Sequence, residues 1–434
     1  MGEQGAKNSR AAFQYSAYRH FQSARLCSII GSEMMSLAVA WQVYEITRRP
    51  LDLGYVGLAQ FLPGILLSLP AGHVADRFHR RNILTICNVS LALWSGLLLF
   101  HSLQHHQSVH IIFAILVLLG TTRAFSGPAS QAFMPQLVRA EHFPNAVAWG
   151  SSIFMVATII GPALGGVIYG FSPLASALLP ASAASWSGNW GAARGAVPVY
   201  SVAIVLYVAA VALIASVKVE ATTHAREDKA SSLDTVLAGF RYVWREKVIL
   251  GSISLDLFAV LLGGAVALLP IYAKEILHVG TIGMGLMRSA PAAGAALMGI
   301  WLAHYPIRGR AGAVMLWSVM IFGVATIIFG VSRNLIISLL ALFVVGAADV
   351  ISVVIRGTLV QLTTPSNMRG RVAAVNLLFI GASNEFGEFE SGLTAQWMGA
   401  VPAVVLGGIG TCLIVALWAW KFPQLRKVDK LVTS

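Results

Sequence analysis

Long apolar runs separated by short polar turns recur from residue 21 to residue 420. A bilayer core about 30 Å thick needs about 20 apolar residues per helix, and the runs fit spans at 21–46, 53–75, 82–103, 109–128, 146–171, 198–218, 248–273, 281–303, 313–331, 335–355, 373–397 and 401–420. Stretches such as 83–100 are apolar on every face, which excludes the alternating ten-residue pattern of a membrane β-barrel. The expected fold is an all-α membrane protein of twelve transmembrane helices in two six-helix bundles.

The polar segments divide this pattern. Residues 1–20 form a polar N-terminal segment expected on the cytoplasmic side, 21–218 the first bundle, 219–247 a cytoplasmic linker, 248–420 the second bundle, and 421–434 a cytoplasmic tail. Within the linker, Leu233, Val236, Leu237, Phe240 and Val243 recur at helical spacing beside Arg241 and Arg245, the signature of an amphipathic helix lying on a membrane surface. An external loop at 172–198 is rich in Ala, Ser, Gly and Pro, with Trp186 and Trp190 as interfacial anchors. Gln136-Leu137 and Val147-Ala148 reappear at one constant offset as Gln361-Leu362 and Val372-Ala373, a trace of an internal repeat.

Composition agrees with burial in lipid: 57% of the 434 residues are hydrophobic and 11% are charged, against about 25% charged in a soluble domain. The formal charge of +12 would suggest nucleic acid as a partner in a soluble protein. Here most Lys and Arg fall on the segments that are cytoplasmic if the N-terminus is inside, so the positive-inside rule accounts for them and places both termini in the cytoplasm. Arg48-Arg49 on the first external turn is a local exception. Cys27, Cys87 and Cys412 lie inside spans, where a thiol acts as a small apolar group, and imply no disulfide or metal framework. His101, His105, His106 and His110 cluster on a short external turn without acids, which reads as a solvated loop rather than a metal site. No glycine-rich phosphate loop occurs, so a nucleotide does not supply the energy, and no cofactor is implied.

Charged side chains inside a bilayer are costly and mark functional positions. They are Arg25 and Glu33 in the first span, Arg123 in the fourth, Asp256 in the seventh, Arg288 in the eighth, Asp349 and Arg356 in the tenth, and Glu385, Glu388 and Glu390 in the eleventh. The third, sixth, ninth and twelfth spans have uncharged interiors. Glu385 and Glu388 are three apart and share a helix face, where crowding suits them to carry a proton. Glu33, Asp256 and Asp349 are the other proton-coupling candidates. Arg25 either snorkels to the interface or meets substrate. Asp256 and Asp349 either serve a cavity or pair with Arg288, Arg356 or a backbone group. Asp349 and Arg356 are two turns apart, too far for direct contact. Arg25, Glu33, Trp41, Gln42, Arg123, Asp256, Phe258, Met287 and Arg288 are the candidate lining of an amphipathic substrate cavity.

The turn after the second span reads Gly72-His-Val-Ala-Asp-Arg-Phe-His-Arg-Arg81. Asp76 at a helix end can hold an arginine or a helix N-terminus, while Arg77, Arg80 and Arg81 can meet anionic lipid or neighbouring helix ends. This turn resembles the signature loop of the major facilitator superfamily, with His79 where that family has a small residue. The resemblance covers the whole chain. Arg123-Ala-Phe-Ser-Gly-Pro128, Leu237-Ala-Gly-Phe-Arg241 and Thr364-Pro-Ser-Asn-Met-Arg-Gly-Arg371 are similar to the bacterial branch of enterobactin exporters and drug-efflux proteins. In the fifth span Gly161, Pro162, Gly165 and Gly166 resemble the family's efflux motif, and as small residues they also serve helix packing. The resemblance implies that the first, fourth, seventh and tenth spans line the cavity and that the uncharged spans face lipid. It further implies a gate at Gly72–Arg81. Arg123 and Arg356, both toward the cytoplasmic ends of their spans, read as a gate or an inter-helix salt bridge. The corresponding turn of the second half, 299–310, has Arg308 and Arg310 but no acid after Ala303.

These readings together describe a secondary active exporter, driven by proton entry, for a small hydrophobic or amphipathic molecule such as a siderophore, drug or metabolite. It would act as a monomer in the bacterial inner membrane, among membrane lipids and without nucleic acid. An uptake transporter and a non-transporting membrane sensor are the alternatives. An enzyme is not indicated, because no catalytic cluster gathers at one membrane face.

Overall fold

The computed structural model describes residues 10–104, 108–177, 195–217, 233–307, 309–365 and 368–429. His105, His106, Trp186, Trp190 and Arg308 lie outside the described residues. The principal helices are α1 (Ser16–Thr47), α2 (Pro50–Leu66), α3 (Ser68–Arg77), α4 (Arg80–Ser102), α5 (Val109–Phe133), α6 (Phe143–Ala177) and α7 (Ala196–Ala215). They continue as α8 (Leu233–Arg245), α9 (Lys247–Leu262), α10 (Gly280–His304), α11 (Ala311–Val331), α12 (Leu335–Thr363), α13 (Arg369–Met398) and α14 (Ala400–Lys421). Among the described residues ten helices are long and apolar enough to cross a membrane, and the bent pair α2 and α3 makes eleven. The 30-residue α13 falls on the remaining expected span, and its three glutamates account for its greater polarity.

Two expected spans are not continuous. The second bends by 59° between α2 and the start of α3. Pro70 has no backbone N–H and its ring opposes the carbonyl four residues earlier, so the helix breaks near Leu67. The seventh ends as α9 at Gly263, continues as a 3-10 turn over Ala265–Leu268, and finishes as a π-helical turn over Tyr272–Ile276. The first span starts at Ser16, five residues before the apolar run, because polar residues extend a helix beyond the lipid without cost once it is nucleated. Ala11–Gln14 form a 3-10 turn held against α6, with the Ala12 N–H donating to Asn145 Oδ1 at 3.0 Å.

The chain divides into two compact units, one of residues 1–47 and 59–229, the other of residues 48–58 and 230–434. In the first, α4 carries two opposed stripes. Ile86, Val89, Leu93, Leu97 and Phe100 are exposed along one side, as expected of a face that meets lipid tails instead of water. Asn88, Ser95 and Ser102, seven apart on the other side, are buried. They meet Ser28, Met35 and Gln42 of α1, also seven apart: Ser28 donates to Asn88, Ser95 Oγ donates to Met35 Sδ at 2.9 Å, and Gln42 Nε2 donates to Ser102 Oγ at 2.9 Å. Equal spacing on both helices means that α1 and α4 run parallel in a heptad register. Tyr200 of α7 donates to Gln42 Oε1 at 2.7 Å and closes the seam from a third helix.

In the second unit, α11 and α14 repeat the lipid-facing stripe, through Trp317, Ile321, Val324, Ile328 and Val331 and through Leu406, Ile409, Leu413, Leu417 and Trp420. Helices α10 and α12 touch backbone to backbone. A methyl at Gly294 would lie 1.9 Å from the Phe343 carbonyl oxygen, and one at Gly346 would lie 1.9 Å from that of Pro291. Helix α8 exists as the amphipathic pattern predicts, but its buried edge faces protein. Gly239 lies against Arg371 and Val375 of α13, and Tyr242 donates to the Thr363 carbonyl at 3.2 Å.

Gly346→Val should therefore lower the thermal midpoint of the purified protein, by a strain of roughly 1–3 kcal/mol, whereas Gly64→Ala, with nothing within 4 Å of the new methyl, should not. Equal midpoints for both variants would contradict the α10–α12 contact.

Candidate functional site

Each unit holds a polar cluster within its helices, and the two clusters accommodate an arginine differently. In the first unit, Arg123 of α5 donates through Nη1 to Gln60 Oε1 of α2 at 2.6 Å and through Nη2 to Ser32 Oγ of α1 at 2.6 Å. Glu33 follows Ser32 and sits partly buried with its Cβ against α6, where a methyl at Gly161 would lie 2.6 Å away. Gly165 packs on Met34 in the same way, and Pro162 and Gly166 are buried. The Tyr207 hydroxyl of α7, fully buried, lies beside Ser32, Arg123 and Glu33, with Ser32 within its reach but no hydrogen bond of full geometry formed. Arg25 does not reach solvent alone: its Nη1 donates to the Gly150 carbonyl at 3.2 Å.

In the second unit, Arg356 of α12 forms an ion pair with Asp256 of α9, and both are almost completely buried. Asp349, two turns before Arg356, lies within electrostatic range of both members and is partly buried. Of the partners open to Asp256, the structure selects Arg356, and Arg288 sits partly exposed on α10. Glu385 and Glu388 of α13 converge on the residues that precede the first unit's share of α2. A methyl at Gly57 would lie 2.8 Å from Glu385 Oε2 and 2.9 Å from Glu388 Oε2. Both carboxylates therefore face the same glycine. Glu390 instead accepts from Thr394 Oγ1 at 2.7 Å.

Several candidate lining residues turn out to be packing residues. Gln42 and Met287 are fully buried, Gln42 with its amide spent on Ser102 and Tyr200. Trp41 is buried edge-on against Tyr169. Phe258 is 37% exposed and leans on Trp418. His101 is not in a solvated turn but buried at the end of α4, with Nε2 on the Ser108 carbonyl at 3.1 Å. Among the described residues no three His, Cys, Asp or Glu side chains gather as metal ligands.

At the turn between α3 and α4, Asp76 and Arg77 are exposed, and Gly72 has open space beside it. Arg81 donates to the Ala215 carbonyl at the last residue of α7, where a cation complements the helix dipole. Arg80 buries its Nε without a hydrogen bond. The corresponding turn of the second half does have an acid, supplied from far along the chain. Asp429 Oδ1 accepts from the Arg310 N–H at 2.8 Å, and its carbonyl accepts from the Ala311 N–H at 3.2 Å, capping α11.

Sequence reasoning missed Ser32, Gln60, Tyr207, Gly57 and Asp429. Gln60 alone carried a signal, as a lone amide in an apolar span.

The model of the MFS_3 family, described as transmembrane secretion effector, matches residues 7–434. The chain belongs to this family of the major facilitator superfamily. It is 24% identical over 402 residues to the enterobactin exporter EntS of Citrobacter koseri, covering 92% of this chain and 86% of the relative. To EntS of Salmonella typhimurium it is 25% identical over 414 residues, covering 95% and 93%. Its fold is that of a bacterial homolog of the human lysosomal transporter Spinster, with TM-score 0.72, 15% identity, and 95% and 96% coverage. A D-xylose-proton symporter superposes with TM-score 0.68 at 14% identity, covering 95% and 99%. This superfamily member is a multi-pass membrane transporter of a small molecule, not an enzyme.

Removing one member of a buried ion pair strands the other charge at about 3–5 kcal/mol. Arg356→Met should accordingly destabilise the transporter strongly, and Asp256→Leu combined with Arg356→Met should recover most of the loss in a thermal midpoint measurement. Two single-variant losses that simply add would show that the side chains are energetically independent. Asp429→Ala should cost about 1 kcal/mol through its cap on α11, read in the same measurement.

Proposed function

We propose that this transporter is a proton-coupled exporter of a small amphipathic, siderophore-like molecule. It works as a monomer in the bacterial cytoplasmic membrane, with both termini on the cytoplasmic side. The observation that carries export is the similarity to enterobactin exporters along more than nine-tenths of the chain. The excess of Lys and Arg on one set of turns supports the orientation, and the parallel halves support alternating access.

Coupling to protons draws support from Glu385 and Glu388. Two carboxylates converging on Gly57 in a low dielectric repel each other unless a proton or a cation lies between them. Asp256 is a weaker candidate than its sequence position suggests, because its carboxylate is committed to Arg356. Glu33 and Asp349 remain as further proton sites in the two clusters. The turn at Gly72–Arg81 acts as the gate, with Arg81 anchored on α7.

Everted membrane vesicles carrying the protein should accumulate enterobactin when an acid-inside gradient is imposed. Glu388→Gln should lower the rate of that accumulation by about a hundredfold, the low end of the range for a lost proton-transfer group. Gradient-driven accumulation that persists unchanged in Glu385→Gln and Glu388→Gln would remove the pair from the coupling mechanism, and no accumulation in the wild type would overturn export of this molecule.

A further inference from the structure

Arg123 stands out among the charges inside the helices. Both of its hydrogen bonds go to neutral oxygens, and among the described residues it joins no ion pair. Arg356, the arginine of the other unit's cluster, is neutralised by Asp256. A guanidinium offers five N–H donors in a planar fork that fits a two-oxygen anion, and the bonds to Ser32 and Gln60 fix its plane while using two of them. The second observation is independent. The Tyr207 hydroxyl is completely buried beside the same group and makes no hydrogen bond of full geometry, with Ser32 the polar side chain within its reach, an arrangement that folded proteins rarely leave without purpose.

From these two facts we infer that Arg123 and Tyr207, with Ser32 positioning the guanidinium, bind an anionic oxygen group of the transported molecule, of the carboxylate or phenolate type. The inference rests on reading the chain as a transporter and narrows the class of its substrate. Arg123 supplies charge and a bidentate fork, and Tyr207 supplies a third donor from behind. Arg123 and Ser32 keep partial exposure, so the anion reaches the fork while the aromatic donor stays dry. Glu33 brings an opposing charge close by, but it has interactions of its own and its backbone is fixed against Gly161. A neutral molecule of the same shape would leave both the guanidinium charge and the hydroxyl unanswered, and a site built this way rejects it.

The test uses the purified full chain in lipid nanodiscs and three matched pairs of probes: benzoate, 1-naphthoate and anthracene-9-carboxylate, each against its amide. The wild type should bind at least one carboxylate about tenfold or more tightly than the corresponding amide. Arg123→Gln should abolish that preference and Tyr207→Phe should reduce it several-fold. Should Arg123→Gln fail to fold, Tyr207→Phe decides, since it removes a single oxygen and leaves the bonds of the guanidinium to Ser32 and Gln60 in place. Equal binding of every acid and amide by the wild type, or a preference that survives both substitutions, overturns the anion site. Enterobactin accumulation in everted vesicles separates the two readings. Pumping without an acid preference defeats this inference alone, and an acid preference without pumping defeats the export reading alone.

Discussion

The absence of water from the lipid core is the constraint on which this structure depends. A polar group facing lipid has nothing to bond with, so each must be turned inward and matched by a group on another helix. Helix α4 shows the consequence directly, with large aliphatic side chains outward and Asn88, Ser95 and Ser102 inward on Ser28, Met35 and Gln42. Such bonds contribute little each, about 0.6 kcal/mol on average in membrane bundles. Their stronger effect is on register, because a shift of one residue between α1 and α4 would strand three polar groups at once. Where helices need no polar match they approach through small residues, as Gly294 and Gly346 do between α10 and α12.

The same constraint decides what could be read from the sequence. Length and hydropathy are local, so the spans and the amphipathic linker helix were legible. The exceptions were α3 and the end of the seventh span, where prolines and paired glycines rerouted the chain. Partner choice is not local. Asp256 pairs with a residue a hundred positions away, and nothing in its surroundings distinguishes Arg356 from Arg288. Asp429 is legible only as a charge in a polar tail, since its role as a helix cap depends on where α14 delivers the chain. The opposite error befell Gln42 and Met287. A polar or polarisable side chain near a charge resembles a cavity wall in one dimension, yet both belong to the interior packing of their units.

The carboxylate pair and the ion pair mark different kinds of energetic commitment. Asp256 and Arg356 neutralise each other, and removing either would leave the other charge stranded in the interior. Glu385 and Glu388 have like charge and a shared location beside Gly57, so neither neutralises the other as Arg356 neutralises Asp256. A glycine at that point is also what makes the convergence possible, because any larger residue would occupy the place where the two oxygens meet.

The internal repeat shows how the two units diverged. The offset that carries Gln136-Leu137 onto Gln361-Leu362 places Gln131 opposite Arg356 and Arg123 opposite Ala348, the neighbour of Asp349. The fourth span therefore has a cation where the tenth has an anion one residue on, and an amide where the tenth has a cation. Two helices of common pattern have thus been given opposite charge at equivalent depth. The tenth keeps its cation within the protein, bonded to Asp256, and adds a second acid nearby. The fourth keeps its cation on neutral hydrogen bonds, which hold the guanidinium in place without cancelling its charge. A charge held in position but not cancelled inside a membrane is stable only while something else shares the cost, and a transported anion can share it in one stage of a cycle and leave in the next.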